Sequence, residues 1–536
     1  PICLRPNPTA HHTTIGLSKH HLSCELFNIY NLIINPLAKF SINLPKCDIT
    51  RPHMSEKVSA QIPPEKSTTT LLAEPIIGWS LLAALILTGS SPSVWIFLLG
   101  TLLVELGVIL KIDKLPGSRG EGPPTGAWLV ALVPTILLPH DSNAALCLVG
   151  GSFTTFVLFL FMLEISVSTV AFAAIWFICA HLTNLTFSLY FFAICVFLFF
   201  LSAELLADFP GSLTLWEAIL LTQICLVFHI NTSLFIIPLL CFYAVERFKM
   251  VVSVETFGTL FAAFIWLLPL LADLADRAQY EGNGEYYPPV LQLNPSSLIR
   301  ELVKPLNILL VTTLWAPLCI LAVLVVACVR EIGVEGSMFN LRKLFHFLAG
   351  IVYSTGLLVS PYLLSVASTF VLVSFCLIEW VRRKGPSPVS TILNDILQPF
   401  RDSRDSGELI FTPIALLLGL SLPIWNFCIP LPTQTDVSPR AWCGVVTIAL
   451  GDSIAALVGR RWGKYWLRWP GTHRTLIGSL ASFASQILLW SALSVLYDWP
   501  WTTGLLPLSI GVLAEAYTEQ IDNLAIPLLV MCLTPA

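Results

Sequence analysis

Charge is scarce in this chain. Asp, Glu, Lys and Arg make up 12% of its 536 residues, about half of the roughly 25% usual for a soluble protein. With 55% apolar residues and a mean hydropathy of +0.79, it lacks the polar side chains that would cover a water-facing surface. The net charge of -4 supplies no global positive field, so nucleic acid is excluded as a partner. Paired cysteine motifs are missing too. Of fourteen cysteines, none forms a CxxC pair or a Cys/His zinc spacing, and Cys147, Cys195, Cys319 and Cys328 lie inside apolar runs. They read as buried thiols, not as a disulfide scaffold. The nucleotide signatures of soluble folds are also absent: no GxxxxGKS/T loop, no HRD or DFG pair, no GxSxG elbow. Gly117–Gly126 is glycine-rich but misspaced for a phosphate loop. No internal repeat stands out.

What is present is one apolar run after another. A membrane helix takes about 20 apolar residues. Candidate spans follow almost without pause from 75–90 to 523–534, which predicts an all-α polytopic bundle of about 13 to 17 membrane helices. Residues 1–70 read as a polar, disordered segment. The first Met is Met54, so residues 1–53 are expected to be a dispensable leader, and the histidine pairs His11-His12 and His20-His21 are not read as a metal tract. Residues 71–330 hold few polar groups and form an N-terminal helical platform. Residues 331–536 hold the polar clusters and form the catalytic region.

Four clusters carry chemistry, because an ionisable group at membrane level is costly unless it is used. Arg342, Lys343 and His346 share one helix face by their three- and four-residue spacing. Positive-inside anchoring competes as a reading for the two cations, and His346 at the mouth of an apolar run weighs against it. Arg404-Asp405-Ser406-Gly407 precedes the run that starts at Glu408, which suits a helix N-cap and an anion site. Gly451-Asp452 lies inside the run 441–459, followed by a loop with Arg460, Arg461, Lys464, Arg468 and Arg474 and no acid. Such a loop serves either acidic lipid or, beside a buried Asp, a triphosphate with Mg²⁺. Glu515, Glu519 and Asp522 form one stripe at i, i+4, i+7, which repels itself unless a cation intervenes or the helix end is solvated.

Topology brings these together. Counting the spans 347–360, 362–380, 408–428, 441–459, 476–497 and 504–516 puts all four clusters at one face. The opposite loops, 430–440 and 498–503, carry Arg440 as their one cation. The positive-inside rule makes the cluster face cytosolic.

At these residues the chain resembles the dolichol kinases, the CTP-dependent polyprenol kinase family. The matching stretches are RKLFHF (342–347), RDSGELIFTPIALLLGLSLPIW (404–425), GDSIAALVG (451–459), RWPGTHRTLIGS (468–479) and EAYTEQIDNLAIPL (515–528), so the likeness covers roughly residues 330 to 530. It implies transfer of the γ-phosphate of CTP to dolichol in the endoplasmic reticulum membrane, with a divalent cation such as Mg²⁺, to supply the lipid carrier for N-glycosylation, mannosylation and GPI-anchor assembly. The CTP-site region corresponds to Arg460, Lys464, Arg468, Trp469, Pro470, Gly471, Thr472, His473, Arg474, Thr475 and Gly478. The family pattern reads WPGTKKTxEG, and His473 and Ile477 depart from it. Phosphoryl transfer needs positioning and charge neutralisation. On that basis Asp452 is expected to hold metal, with Glu515 or Asp522 as a second ligand. Arg468, Arg474 and Lys464 are expected to hold phosphates. Asp405 is expected to orient or deprotonate the lipid hydroxyl near Arg342, Lys343 and His346. Arg404, Ser406, Gly407, Gly451 and Asn523 complete the matched motifs. A membrane cytidylyltransferase would share the acidic metal site but attack the α-phosphate. A transporter would show polar residues in paired half-repeats, against the one-sided clustering here.

Overall fold

A computed structural model of the chain describes residues 68–87, 92–109, 118–119, 125–137, 142–162, 189–231, 303–322, 324, 337–385, 387–402, 404–405, 407–427, 437–465 and 467–535. The polar segment 1–53, the expected spans 166–182, 232–245 and 257–273, and Ser406 lie outside the described residues. Among the described residues the regular elements are helices, with one isolated bridge, Arg468 to Thr475, in place of any strand.

The first half supplies α1 (Thr68–Leu87), α2 (Pro92–Ile109), α3 (Leu132–Leu137) entered through a 3₁₀ turn at Ala127–Ala131, α4 (Ser142–Met162), α5 (Leu189–Asp208), α6 (Leu215–Asn231) and the short α7 (Pro305–Leu310). The second half supplies α8 (Ser337–Val359), α9 (Pro361–Lys384), α10 (Val389–Leu397) and α11 (Thr412–Phe427). A π-helical segment, Val445–Asp452, then runs into α12 (Ser453–Trp462), followed by α13 (Leu476–Tyr497), α14 (Leu505–Tyr517) and α15 (Asp522–Leu533). Four helices among the described residues are long and apolar enough to cross a membrane: Pro305–Ala322, Leu363–Lys384, Pro439–Trp462 and Leu476–Tyr497. Shorter apolar helices accompany them, including Thr412–Trp425 and Asp522–Leu533. The arrangement is that of a multi-pass membrane protein.

Local chemistry sets the helix ends. Pro361 opens α9 at a position where its missing N–H costs nothing. Arg382, Arg383 and Lys384 close it against the negative end of the helix dipole. Thr475 caps α13 by accepting the Gly478 N–H at 3.3 Å. Thr214 and Glu217 form a reciprocal capping box at the start of α6: the Thr214 hydroxyl accepts the Glu217 N–H at 3.2 Å, and Glu217 Oε2 accepts the Thr214 N–H at 2.9 Å.

In lipid the helices gain nothing by hiding apolar surface, so small residues and polar clips hold them together. Gly419 on α11 is crossed by the backbone of Asn523, and a Cβ on Gly444 would lie 2.6 Å from the Gly419 carbonyl oxygen. Three segments therefore meet backbone to backbone at one level. Tyr353 and Ser421 share a hydroxyl–hydroxyl bond of 2.6 Å, and the Trp425 indole donates to Ser368 at 2.9 Å. Gln223 donates to Val130 C=O and the Ser152 hydroxyl.

Residues 65–536 form one compact unit. The two halves interleave within it: α14 lies against α1, and α15 against α3, where the Cys532 thiol donates to Leu132 C=O at 3.1 Å. No disulfide occurs among the described cysteines.

Candidate functional site

Two features of α8 and its neighbour bring the first charges together. On α8 the spacing of Arg342, Lys343 and His346 puts all three toward one side. The segment before α12 is wound as a π-helix through Asp452, a geometry that often marks functional positions because it breaks the regular helical register. Asp452 is 7% exposed. Lys343 Nζ forms a short ion pair with its Oδ2, and His346 Nε2 lies 3.6 Å from the same oxygen. His346 Nδ1 is 2.7 Å from the Arg342 carbonyl. A carbonyl can only accept, so Nδ1 carries the proton there. That leaves Nε2 facing Asp452 and Asn523 Oδ1, the latter at 3.3 Å, as the nitrogen able to take up a proton. Arg342 itself turns to Asp402 Oδ2 at 3.1 Å.

The second set centres on Asp522, the first residue of α15. Its Oδ2 receives Arg404 Nη1 at 2.6 Å and Arg474 Nη2 at 3.0 Å. Its Oδ1 accepts the Asn523 N–H at 2.9 Å. Arg474 also reaches Glu515 Oε1 at 3.7 Å, and Arg404 donates to Thr518 C=O at 3.2 Å. Burial pushes the Arg404 pKa down, but the Asp522, Asp402 and Glu217 carboxylates outweigh it and hold it above its ordinary value. The same opposition, with Asp522 and Glu515 prevailing over burial, raises Arg474. Both guanidinia are thus held firmly charged.

Arg474 is carried by a tight hairpin over Leu467–Leu476. Trp469 N–H donates to Arg474 C=O, and Leu476 N–H to Leu467 C=O. At its tip Thr472 N–H reaches Trp469 C=O at 3.1 Å. Pro470 and Gly471 occupy the corner, Gly471 at φ +73°, the combination a type II turn requires. The Trp469 indole donates to Ser479 at 3.0 Å and packs edge-on against Tyr517 at 5.6 Å, tying the hairpin to α13 and to the end of α14. Arg468, Pro470, Gly471 and His473 stay exposed at its surface, as do Arg460, Arg461 and Lys464 on the approach.

The structure therefore brings together Arg342, Lys343, His346, Arg404, Asp452, Arg474, Glu515, Asp522 and Asn523. Other expected residues do different work. Asp405, 2% exposed, spends its carboxylate on backbone: Oδ2 accepts Asp402 N–H at 3.1 Å, and Oδ1 accepts Phe411 and Thr412 N–H at 3.1 and 3.3 Å. Burial pushes its pKa up against those hydrogen bonds. It holds the loop that carries Arg404 and caps α11. Gly407 makes room for Ser212, and Gly451 for Gln486. Asp452, Glu515 and Asp522 each face a cationic side chain. Among the described residues no group of three or more His, Cys, Asp or Glu is arranged to hold a metal ion, so the three acids do not make a ready metal cage.

Sequence reasoning missed four participants. Arg119 and Glu217, from the first half, form an ion pair of 2.5 Å with side chains 6% and 2% exposed. Gln520 bridges Thr214 and Thr125, and Asp402 holds Arg342. The Thr214-Leu-Trp-Glu217 capping box was visible as a pattern. Nothing in the spacing tied Arg119 to it.

The chain is similar to dolichol kinases. It is 39% identical over 208 residues to the dolichol kinase of Mus musculus and 38% identical over 208 residues to that of Homo sapiens. It is 28% identical over 202 residues to the dolichol kinase of Saccharomyces cerevisiae. In the two mammalian comparisons the match takes in 36% of this chain and spans 38% of the relative's length. No family model and no solved structure matches.

Proposed function

We propose that this chain is a CTP-dependent dolichol kinase of the endoplasmic reticulum membrane, with its site toward the cytosol. It would transfer the γ-phosphoryl group of CTP to the terminal hydroxyl of dolichol. The single observation that carries the reading is the convergence of Lys343, Arg404 and Arg474 on buried carboxylates beside a histidine. The dolichol kinase relatives supply the substrate class. The dolichyl phosphate made would serve N-glycosylation, mannosylation and GPI-anchor pathways.

In this reading Arg474, on its hairpin, and Arg404 bind the triphosphate, with Lys464 and Arg468 on the exposed approach. Lys343 neutralises charge near Asp452. His346 Nε2 accepts the hydroxyl proton, and Asp452 stabilises the resulting imidazolium. The lipid oxygen forms a bond to the γ-phosphorus as the bond to the β-phosphate oxygen breaks, and CDP leaves. A divalent cation would enter on the nucleotide, with Asp452 and either Glu515 or Asp522 as the carboxylates that would meet it beside the phosphates. Asp405 acts by holding the Arg404 loop.

The test uses membranes containing the full chain, dolichol, Mg²⁺ and CTP labelled at either the γ- or the α-phosphate. Label reaching the lipid from the γ position is the expected result. Label arriving from the α position alone would establish a cytidylyltransferase instead, and no transfer from either would sink the enzyme reading.

A further inference from the structure

We infer that Arg119 and Glu217, contributed by the N-terminal half, are positioning residues for the Arg404–Asp522 pair. Two loops must be held for that pair to exist: the one carrying Arg404, and the turn 518–521 that delivers Asp522 to the start of α15. The Arg119–Glu217 pair grips both. Arg119 Nη1 donates to the Arg404 carbonyl at 3.5 Å and Nη2 to the Glu519 carbonyl at 3.3 Å. Glu217 Oε1 accepts the Ile521 N–H at 2.8 Å. Arg119 thus holds the backbone of Arg404 itself, and Glu217 holds the residue immediately before Asp522.

The anchor behind this grip is firm. Glu217 is fixed by its capping box on α6, and Arg119 N–H donates to Leu213 C=O at 2.7 Å. The Thr214 hydroxyl also donates to Gln520 Oε1 at 2.7 Å, and Gln520 Nε2 reaches Thr125 C=O at 2.8 Å. A buried ion pair gains little stability by itself, since desolvation offsets its attraction. What this pair achieves is order in the turn that delivers Asp522, through the Glu519 carbonyl and the Ile521 N–H. The first half of the chain is therefore part of the site's frame and not only a platform beneath it.

The kinetic side of this inference rests on the proposed kinase reading, and the experiment separates the two. Full-length wild type, Arg119→Ala, Arg119→Lys and Glu217→Gln are purified in nanodiscs. Amide exchange over 518–523 and the KM values for CTP and dolichol are then measured. Arg119→Ala is expected to speed exchange in that turn by about tenfold or more. It should raise the CTP KM about tenfold while the dolichol KM stays within about twofold. Arg119→Lys, which keeps the charge but loses the fork, should fall between wild type and Ala. Glu217→Gln, of the same size, keeps one oxygen for the Ile521 N–H but sets its amide nitrogen against the Thr214 N–H, so it should loosen the same turn, and a thermal melt of every variant guards against simple misfolding. Unchanged exchange in Arg119→Ala would overturn the inference. So would an unchanged CTP KM with a maximal rate that merely follows the folded fraction. If wild type transfers no phosphate, the kinase reading fails, and the exchange measurement alone decides whether the pair holds the turn.

Discussion

Arg404 Nη1 lies 2.6 Å from Asp522 Oδ2, joining the loop before α11 to the first residue of α15. Asp522 shares that oxygen with Arg474, so one carboxylate fixes the two guanidinia assigned to phosphate. Arg404→Lys keeps the charge and loses the planar fork, including the bond to Thr518 C=O. The expected result is a CTP KM raised about tenfold, roughly 1.4 kcal/mol, with kcat changed less. Steady-state kinetics at saturating dolichol measure it.

Asp452→Asn should remove phosphoryl transfer by a factor of about a hundred or more, about 2.7 kcal/mol of barrier. It leaves Lys343 and His346 without their shared anionic partner, while relieving the cost of a buried carboxylate. Insertion and monodisperse elution in detergent should be retained. Activity that persists across a Mg²⁺ titration would remove Asp452 from the machinery.

The hairpin corner offers a backbone test. Gly471 holds φ +73°, and a Cβ there costs on the order of 1–2 kcal/mol. Gly471→Ala should raise the CTP KM by roughly the corresponding 5- to 30-fold without lowering the melting temperature of the helical bundle. A nucleotide-binding titration and a thermal melt, run on the same sample, separate the two effects.

Ile477 stands where the pattern of the dolichol kinases this chain resembles has Glu, in the first turn of α13 and three residues after Arg474. A Glu there would meet the positive end of the helix and could steady the hairpin arginine. Ile477→Glu is expected to lower the CTP KM with little change in kcat. A kcat rise of about a hundredfold, about 2.7 kcal/mol, would instead place that acid in the chemical step.

Much of this site was legible because the membrane makes polarity conspicuous. Lys343, His346 and Asp452 stand out in apolar runs, and counting crossings placed them at one face with Arg474 and Asp522. The Asp405 reading divided between cap and chemistry, and the structure shows the cap, since both of its oxygens accept backbone N–H groups. The π-helix through Asp452 could not be foreseen: in Val445–Asp452 only Thr447 and the terminal Asp452 are polar, too few to show a periodicity that reveals the change of winding. Arg119 was hidden for another reason. It sits in a Gly/Pro-rich loop far along the chain from Asp522, and only tertiary packing makes them near neighbours.

Gly419 gives a stability test of the backbone crossing. A methyl group there would press on the Asn523 carbonyl, and overpacking of this kind costs about 1–3 kcal/mol. Gly419→Ala should lower the melting temperature and shift Asn523 away from His346. Reduced activity with an unchanged melt would contradict this.

Each acid of the cluster already has a basic companion: Asp452 has Lys343, Asp522 has Arg404, and Glu515 has Arg474. The cations inside the cluster are thus already engaged with acids, and the positive charge of Arg460, Arg461, Lys464 and Arg468 lies outside it, on the exposed approach. A nucleotide triphosphate must then bring counter-ions of its own or compete for side chains already engaged. Nucleotide and divalent cation should therefore bind as a thermodynamic unit, each raising the affinity of the other by the same factor.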